Sequence, residues 1–205
     1  MWAFQGARHY TPRSADEAPS QEPWGERWLR RWKRHQWSGR GFTIVTPSEW
    51  LAKKARRSTI LGKESVAVIR NGLDPSTYKP INKESARSAL QLPKEKHLVL
   101  FGAVNALSNP RKGADLLQPA LETLLETDDN VELVVFGASE RENGKFGGRV
   151  HHVGRLEDDV SLALLYSAAD VFAIPSRQDN LPNTVAEAMA CGTPCVGFNV
   201  GGVPE

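Results

Sequence analysis

Val171-Phe172-Ala173-Ile174-Pro175-Ser176-Arg177-Gln178-Asp179-Asn180-Leu181-Pro182-Asn183-Thr184-Val185-Ala186-Glu187-Ala188-Met189-Ala190-Cys191-Gly192-Thr193-Pro194-Cys195-Val196 is a strand, a polar loop, a helix and the start of a further strand. Val171 to Ile174 is a short apolar β run that Pro175 and Ser176 stop. Asn183 or Thr184 can cap the helix, and Gly192 and Pro194 end it. A helix opening at the carboxyl end of a parallel strand gathers unsatisfied N–H groups and partial positive charge. In an open α/β sheet that is where phosphate is held. Two carboxylates, Asp179 and Glu187, stand eight positions apart across this loop and helix, so the stretch reads as a ligand cradle.

Outward from it, strands and helices alternate. Strands are expected at 66–69, 97–101, 131–136, 150–153, 171–174 and 194–198, and helices at 83–91, 113–126 and 160–168. The strands are almost uninterrupted apolar runs, which implies a parallel sheet covered by helices on both faces. Upstream, residues 5–25 are rich in Pro, Ser, Gly and charge, show no period and read as loop or disorder. Residues 26–40 follow a helical period, with Trp24, Trp28 and Trp32 spaced four apart among Arg27, Arg30, Arg31, Lys33 and Arg34. A strand at 42–45 precedes Thr46-Pro47-Ser48-Glu49, which looks like a capping box with Pro47 at the first helical position of a helix over 49–57. The chain stops at Gly201-Gly202-Val203-Pro204-Glu205, in the turn after a strand, and is read as a fragment.

Charge is unevenly shared. Up to Ser58 there are 12 Lys and Arg against 5 Asp and Glu, so the overall +2 hides a basic front part and an acidic remainder, and implies no polyanion partner. The only cysteines, Cys191 and Cys195, lie in an apolar turn without neighbouring His, as a reduced buried pair rather than a metal site. No stretch approaches the roughly 20 apolar residues that span a bilayer, and no leader pattern opens the chain, so a cytoplasmic protein is expected.

Several separated segments resemble, in order, the retaining GT-B glycosyltransferases of the family 4 type, glycosyl transferases group 1. Thr43 to Leu51 resembles the end of the acceptor domain, and Val66 to Asp74 the interdomain crossing, followed by the aromatic-x-Pro of Tyr78-Lys79-Pro80. Arg111-Lys112-Gly113 stands where the family has its phosphate-binding Lys-Gly. Leu164 to Phe172, Asp179 to Glu187 and Gly201 to Glu205 match as well. The resemblance implies a doubly wound parallel sheet, the Rossmann-like carboxy-terminal half of a GT-B fold, truncated at both ends. Residues 1–65 would be the remnant of an acceptor-side domain, and 66–205 the nucleotide-sugar donor-binding domain.

By this resemblance Lys112 neutralises the donor diphosphate, with Arg111 beside it. Asp179, where the family usually has Glu, contacts hydroxyls of the transferred sugar. Glu187 accepts hydrogen bonds from the two ribose hydroxyls. Asn180, Leu181, Asn183 and Thr184 line the donor at the helix start, where the family more often has Gly-Phe-Gly before the helix. Gly102 lets backbone approach, and Gly154 and Arg155 fall where relatives set backbone against the nucleobase. The catalytic residue of the acceptor domain is not in this chain.

Plainer readings stand beside these. Glu187 can close a capping box with Thr184, Asp179 and Asn180 can form an Asx turn, and Lys112 can be a solvated helix-start lysine. His151 and His152 read as strand-edge residues. The Trp-rich helix fits either packing against the rest of an acceptor domain or a peripheral contact of residues 26–40 with an anionic membrane; nucleic acid is disfavoured.

The reading is therefore of a hexosyltransferase moving sugar from a nucleoside-diphosphate sugar to a saccharide or lipid-linked acceptor with retention, inactive as this fragment alone. It needs no metal or other cofactor, as the absence of any Asp-x-Asp pair suggests. Rival readings are a nucleotide-sugar epimerase of the same architecture and a non-catalytic nucleotide-sugar binding module.

Overall fold

A computed structural model of the chain describes residues 24–102, 109–137 and 149–205. The loop expected over 5–25, nearly all of the Gly-rich loop over 137–148 and the segment after Gly102 lie outside the described residues. The chain forms two compact units, Met1–Asn71 with Glu205, and Gly72–Pro204.

In the first unit, α1 (Trp24–Trp37) is followed by β1 (Thr43–Thr46), α2 (Glu49–Arg56) and β2 (Ser65–Val68). β1 and β2 pair in parallel, Thr43 opposite Ser65. The sequence reading opens the second domain at Val66. The strand there takes β1 as its partner and groups with the first unit. Ser48 is the N-cap of α2, its Oγ accepting the N–H of Leu51 at 3.1 Å. Pro47 therefore precedes the cap instead of opening the helix, because Thr46 is still in β1, its carbonyl accepting the Ile69 N–H at 2.9 Å. The carboxylate of Glu205 accepts the next two orphan N–H groups, Glu49 and Trp50, each at 2.7 Å. An anion there also suits the positive end of the helix dipole. The Glu64 carboxylate, buried in its own unit, accepts the N–H groups of Gly39, Arg40 and Gly41 and closes the turn after α1.

The second unit runs α3 (Lys83–Ala89), β3 (His97–Gly102), a single 3-10 turn (Pro110–Lys112), α4 (Ala114–Thr127), β4 (Val131–Phe136), β5 (Val150–Gly154), α5 (Asp159–Ala168), β6 (Val171–Ile174), α6 (Asn183–Ala190) and β7 (Cys195–Gly197). Among the described residues its five strands are all parallel, in the order β5-β4-β3-β6-β7. This is the doubly wound sheet expected. From β3 the chain winds one way through β4 to the edge strand β5, then returns to the other side of β3 as β6 and continues to β7. The direction reverses between β3 and β6, which opens a crevice at their carboxyl ends.

Alternation along each strand sends residues to both faces. Leu98, Leu100, Val134, Phe136, Phe172 and Ile174 meet Ala86, Leu165, Tyr166 and Ala188 on the face covered by α3, α5 and α6. Phe101, Leu133 and Val135 meet Leu121 of α4 on the other. Both faces being covered is why the strands read as continuous apolar runs. Toward the sheet's β7 edge, Val196 and Phe198 are exposed.

At the amino end of the same strand pair sits a charged knot. Asp170, in the turn between α5 and β6, accepts the Leu98 N–H of β3 at 2.7 Å, Lys83 Nζ at 2.7 Å and Arg87 Nη2 at 2.6 Å. The Arg87 side chain is only 5% exposed, and its other N–H groups donate to the carbonyls of Ala168, Lys94 and Lys96. Burial pushes the Asp170 carboxyl up, but the bonds from Lys83 and Leu98 and the charge of Arg87 outweigh it and hold it below the ordinary carboxylate value. Asp170→Ala should therefore destabilise the second unit by about 3 kcal/mol, the scale for orphaning a buried charge. A carboxyl whose value is lowered on folding contributes stability above its unfolded value of about 4, lost as pH falls through the folded one. Denaturant melts from pH 7 down to pH 2 should show the wild type losing stability on the acid side, and Asp170→Asn losing less of it.

Candidate functional site

The switch-point crevice is walled by the ends of β3 and β6, the turn before α4 and the start of α6. Phe101, Gly102, Lys112, Ser176, Asp179, Pro182 and Thr184 line it, with Phe172 to Pro175 forming its floor. Three fastenings set this geometry. Gly113 has φ +71°, and a Cβ there would stand 1.9 Å from the Pro175 carbonyl oxygen, so only glycine lets the turn lie against the end of β6. Arg177 then crosses back: its N–H donates to the Arg111 carbonyl at 2.9 Å, and its guanidinium grips both carboxylate oxygens of Asp115 at 2.6 Å. That paired geometry raises the pKa of Arg177 and lowers that of Asp115, through their hydrogen bonds first. On the far side, the Gly202 N–H donates to the Asp179 carbonyl at 3.0 Å, and Gly201 lies so close to that oxygen that a Cβ would overlap it.

Held this way, Lys112 and Asp179 meet across 67 positions of sequence, Nζ to Oδ2 at 2.7 Å, both largely shielded from solvent. Lys112 is thus neither a solvated lysine nor in the first turn of α4; it closes the 3-10 turn, and α4 begins at Ala114. The other Asp179 oxygen accepts the Asn180 N–H at 2.9 Å. The same carboxylate shapes its loop and faces the crevice.

The N-cap residue of α6 is Pro182, which makes no side-chain cap bond, where the sequence reading places Asn183 or Thr184. Pro182 fixes the chain in an extended geometry, φ −70° and ψ 118°, one residue earlier than expected. The capping box of Thr184 and Glu187 does not form. Instead Glu187 Oε2 accepts the hydroxyl of Tyr166 on α5 at 2.8 Å. Burial pushes the Glu187 carboxyl up, the Tyr166 hydroxyl pulls it back, and the Asp159 charge pushes it up again, leaving it raised. Burial, followed by the Glu187 charge, pushes the Tyr166 phenol far up, so this hydroxyl stays a donor. Nearby, Tyr78 donates to Asp159 Oδ1 at 2.9 Å.

Of the residues read from the sequence, Gly102, Lys112, Asp179 and Thr184 come together in the crevice. Asn180, Leu181, Asn183 and Glu187 follow on the same loop and helix without lining that crevice. Arg111 contributes its backbone carbonyl to Arg177. Gly154 and Arg155 sit at the end of β5, two strands from the switch point, with Arg155 exposed and 3.6 Å from Glu157. His151 pairs with Glu132 of the neighbouring strand at 2.6 Å. Among the described residues no group of His, Cys, Asp and Glu is arranged to hold a metal ion. Cys191 and Cys195 are free, and burial pushes the Cys195 thiol up to about 11.

Sequence reasoning missed Tyr166 and the clasp of Arg177 with Asp115. Tyr166 sits in an apolar helix whose pattern reads as core, and it is core apart from its hydroxyl. The clasp joins positions 62 apart, Arg177 just past β6 and Asp115 in the first turn of α4; only their opposite charges next to two candidate ligand loops could have signalled it.

Comparison with known proteins agrees with this arrangement. The chain is 31% identical over 153 residues to a D-inositol 3-phosphate glycosyltransferase of Segniliparus rotundus, covering 69% of this chain and 33% of the relative. It thus spans about a third of the length of that curated relative. Sucrose-phosphate synthase from Thermosynechococcus elongatus superposes with a TM-score of 0.71 at 25% identity, covering 92% of this chain and 47% of that one. HepE from Anabaena, solved in complex with UDP-glucose, shares the fold with a TM-score of 0.64 at 18% identity, over 91% of this chain and 52% of that one. Residues 95–205, from just before β3 onward and more than half of the chain, match the family described as Glycosyl transferases group 1. The uncapped helix, the lysine-aspartate pair and the switch-point crevice all lie within that match, and the chain belongs to this glycosyltransferase family.

Proposed function

We propose that this chain carries the donor side of a retaining glycosyltransferase that moves a hexosyl unit from a nucleoside-diphosphate sugar to a saccharide or lipid-linked acceptor. The observation that carries the reading is the Lys112 ammonium at a switch-point crevice beside the start of α6, whose N-cap residue, Pro182, supplies no side-chain cap. A diphosphate leaving group gains charge as the glycosidic bond to it breaks. A preorganised cation and helix dipole stabilise that charge, worth a few kcal/mol for such donors. On this reading no divalent cation is needed, since Lys112 and α6 do its electrostatic work. Asp179 takes sugar hydroxyls and Glu187 the ribose diol, two acceptor oxygens suiting vicinal donors. Asn180, Leu181, Asn183 and Thr184 border the sugar and phosphates, with Arg111 alongside, and Gly154 and Arg155 stand toward the base. The UDP-glucose bound by the Anabaena neighbour supports a nucleotide sugar as the ligand class.

Glu187→Gln and Lys112→Ala should each weaken nucleoside-diphosphate binding by roughly 1.5–3 kcal/mol, the scale of a charged hydrogen bond, with the fold retained. Calorimetric titration with UDP, GDP and ADP checks this, and unchanged affinity in both variants overturns the assignment.

Asp179→Asn separates sugar from phosphate recognition. Because Asp179 neutralises Lys112 in the ligand-free site, the variant should bind nucleoside diphosphate at least as tightly as the wild type, while the sugar-bearing donor loses about 1 kcal/mol. Equal losses for both ligands would mean that Asp179 only shapes its loop.

A second surface supports a cytoplasmic enzyme working at a membrane. Trp28 and Trp32 of α1 are 63% and 46% exposed, on a helix that also exposes Arg31 and Arg34. Among the described residues no helix is long and apolar enough to cross a bilayer. Interfacial tryptophan with surrounding basic charge fits contact with an anionic lipid surface. Sedimentation with vesicles containing phosphatidylglycerol should capture the chain, and Trp28→Ser with Trp32→Ser should release most of it; equal capture by neutral vesicles would refute the contact.

A further inference from the structure

The Glu187 carboxylate is not presented by its own helix alone. Tyr166 reaches it from α5, and Tyr166 is itself fixed on every side. It is wholly buried. Its ring stands edge-on to Phe136 at 6.0 Å and to Phe172 at 5.8 Å between centroids, and Thr193 Oγ1 donates to its carbonyl at 2.5 Å. The ring so held carries its hydroxyl to Glu187 Oε2, to which it donates at 2.8 Å.

We propose that Tyr166 is a positioning residue for recognition of the nucleotide's ribose. Its hydroxyl occupies one oxygen of Glu187 and so fixes the plane of the carboxylate, aiming the remaining acceptor sites at a vicinal diol. This rests on the reading of Glu187 as the diol acceptor, and adds a second residue, from another helix, without which that acceptor is misaimed. The geometry follows from the acceptor inventory: a carboxylate has about four lone-pair sites, and one strong donor fixed at one of them limits rotation about the terminal torsion, which is otherwise broad.

A second consequence concerns pH. The groups facing Glu187 are the Tyr166 hydroxyl and Asp159 of α5, Tyr78 from the segment before α3, and Cys191 at the end of α6. Only the Tyr166 bond favours the ionised carboxylate; burial and the Asp159 charge oppose it. Removing the hydroxyl should therefore raise the pH at which Glu187 protonates.

The test is calorimetric titration of the 205-residue chain with UDP and with 2′,3′-dideoxy-UDP, or the ADP pair where ADP is the tighter ligand, from pH 5 to 8. In the wild type the ribose form should bind more tightly, and this preference should decline on acidification. Tyr166→Phe keeps the ring against Phe136 and Phe172. It should reduce the ribose preference about fivefold, the worth of one neutral hydrogen bond, and move its acid decline to higher pH. In the double variant with Glu187→Gln, the Phe substitution should have no further effect. 3-Fluorotyrosine at 166, a stronger donor of nearly the same shape, should move the decline to lower pH, and serves equally if the Phe variant does not fold. If Glu187→Gln abolishes the ribose preference while both Tyr166 variants leave it and its pH profile unchanged, the positioning role is wrong and the Glu187 reading stands. If Glu187→Gln itself leaves the preference intact, the Glu187 reading fails, and this proposal with it.

Discussion

Asp170 decides how β3 and β6 lie against one another. Its carboxylate accepts the first N–H of β3 past His97 while standing one residue before β6 begins, so the two strands start from a common point. Arg87 and Lys83 bring α3 to the same knot. Since β3 and β6 are parallel neighbours in fixed register, anchoring their amino ends also sets where their carboxyl ends stop. Gly102 and Ile174 end the two strands, and the crevice at those ends is the proposed ligand site. A charge cluster at the far end of the strands thus helps to set the width of the crevice at their carboxyl ends.

The arrangement divides labour between the ends of one sheet. At the amino ends, charges are buried and matched to one another, which favours rigidity. At the carboxyl ends, among the described residues, Lys112 is matched to Asp179 alone, and the N-cap residue of α6 supplies no side-chain cap. On the proposed reading, a diphosphate entering there meets a cation and a helix dipole that the fold has already oriented, and it competes with Asp179 for Lys112. The clasp of Arg177 on Asp115 keeps the two loops from drifting apart in the meantime.

Much of this was legible in the sequence because it depends on patterns short enough to read locally. The strands at 131–136 and 171–174 came out at their observed bounds, since both faces of a parallel sheet are covered and the apolar run is unbroken. Lys112, Asp179 and Thr184 could be read as neighbours of one ligand only through their resemblance to a known order of motifs; the ion pair spanning them leaves no trace in spacing. Cap positions were misplaced by a residue or two at both Pro47 and Pro182, because proline fixes its own φ without saying on which side of the cap it falls. Tyr166 was invisible for a different reason: a fully buried aromatic residue looks like core, and only the tertiary partner of its hydroxyl distinguishes it.

The close seat of Asp179 between Gly201 and Gly202 has a bearing on how this loop can vary. The carbonyl of Asp179 is pinned from the far end of the unit, and the main chain at Pro175 and Arg177 is pinned by Gly113 and Arg111. Between these anchors the number of residues is fixed, while the side chains of Gln178 and Leu181 are not among the pins described above. Changes of ligand preference at this site are therefore open to point substitution and closed to insertion or deletion, so a lineage or a designer can alter the lettering of the loop but not its length.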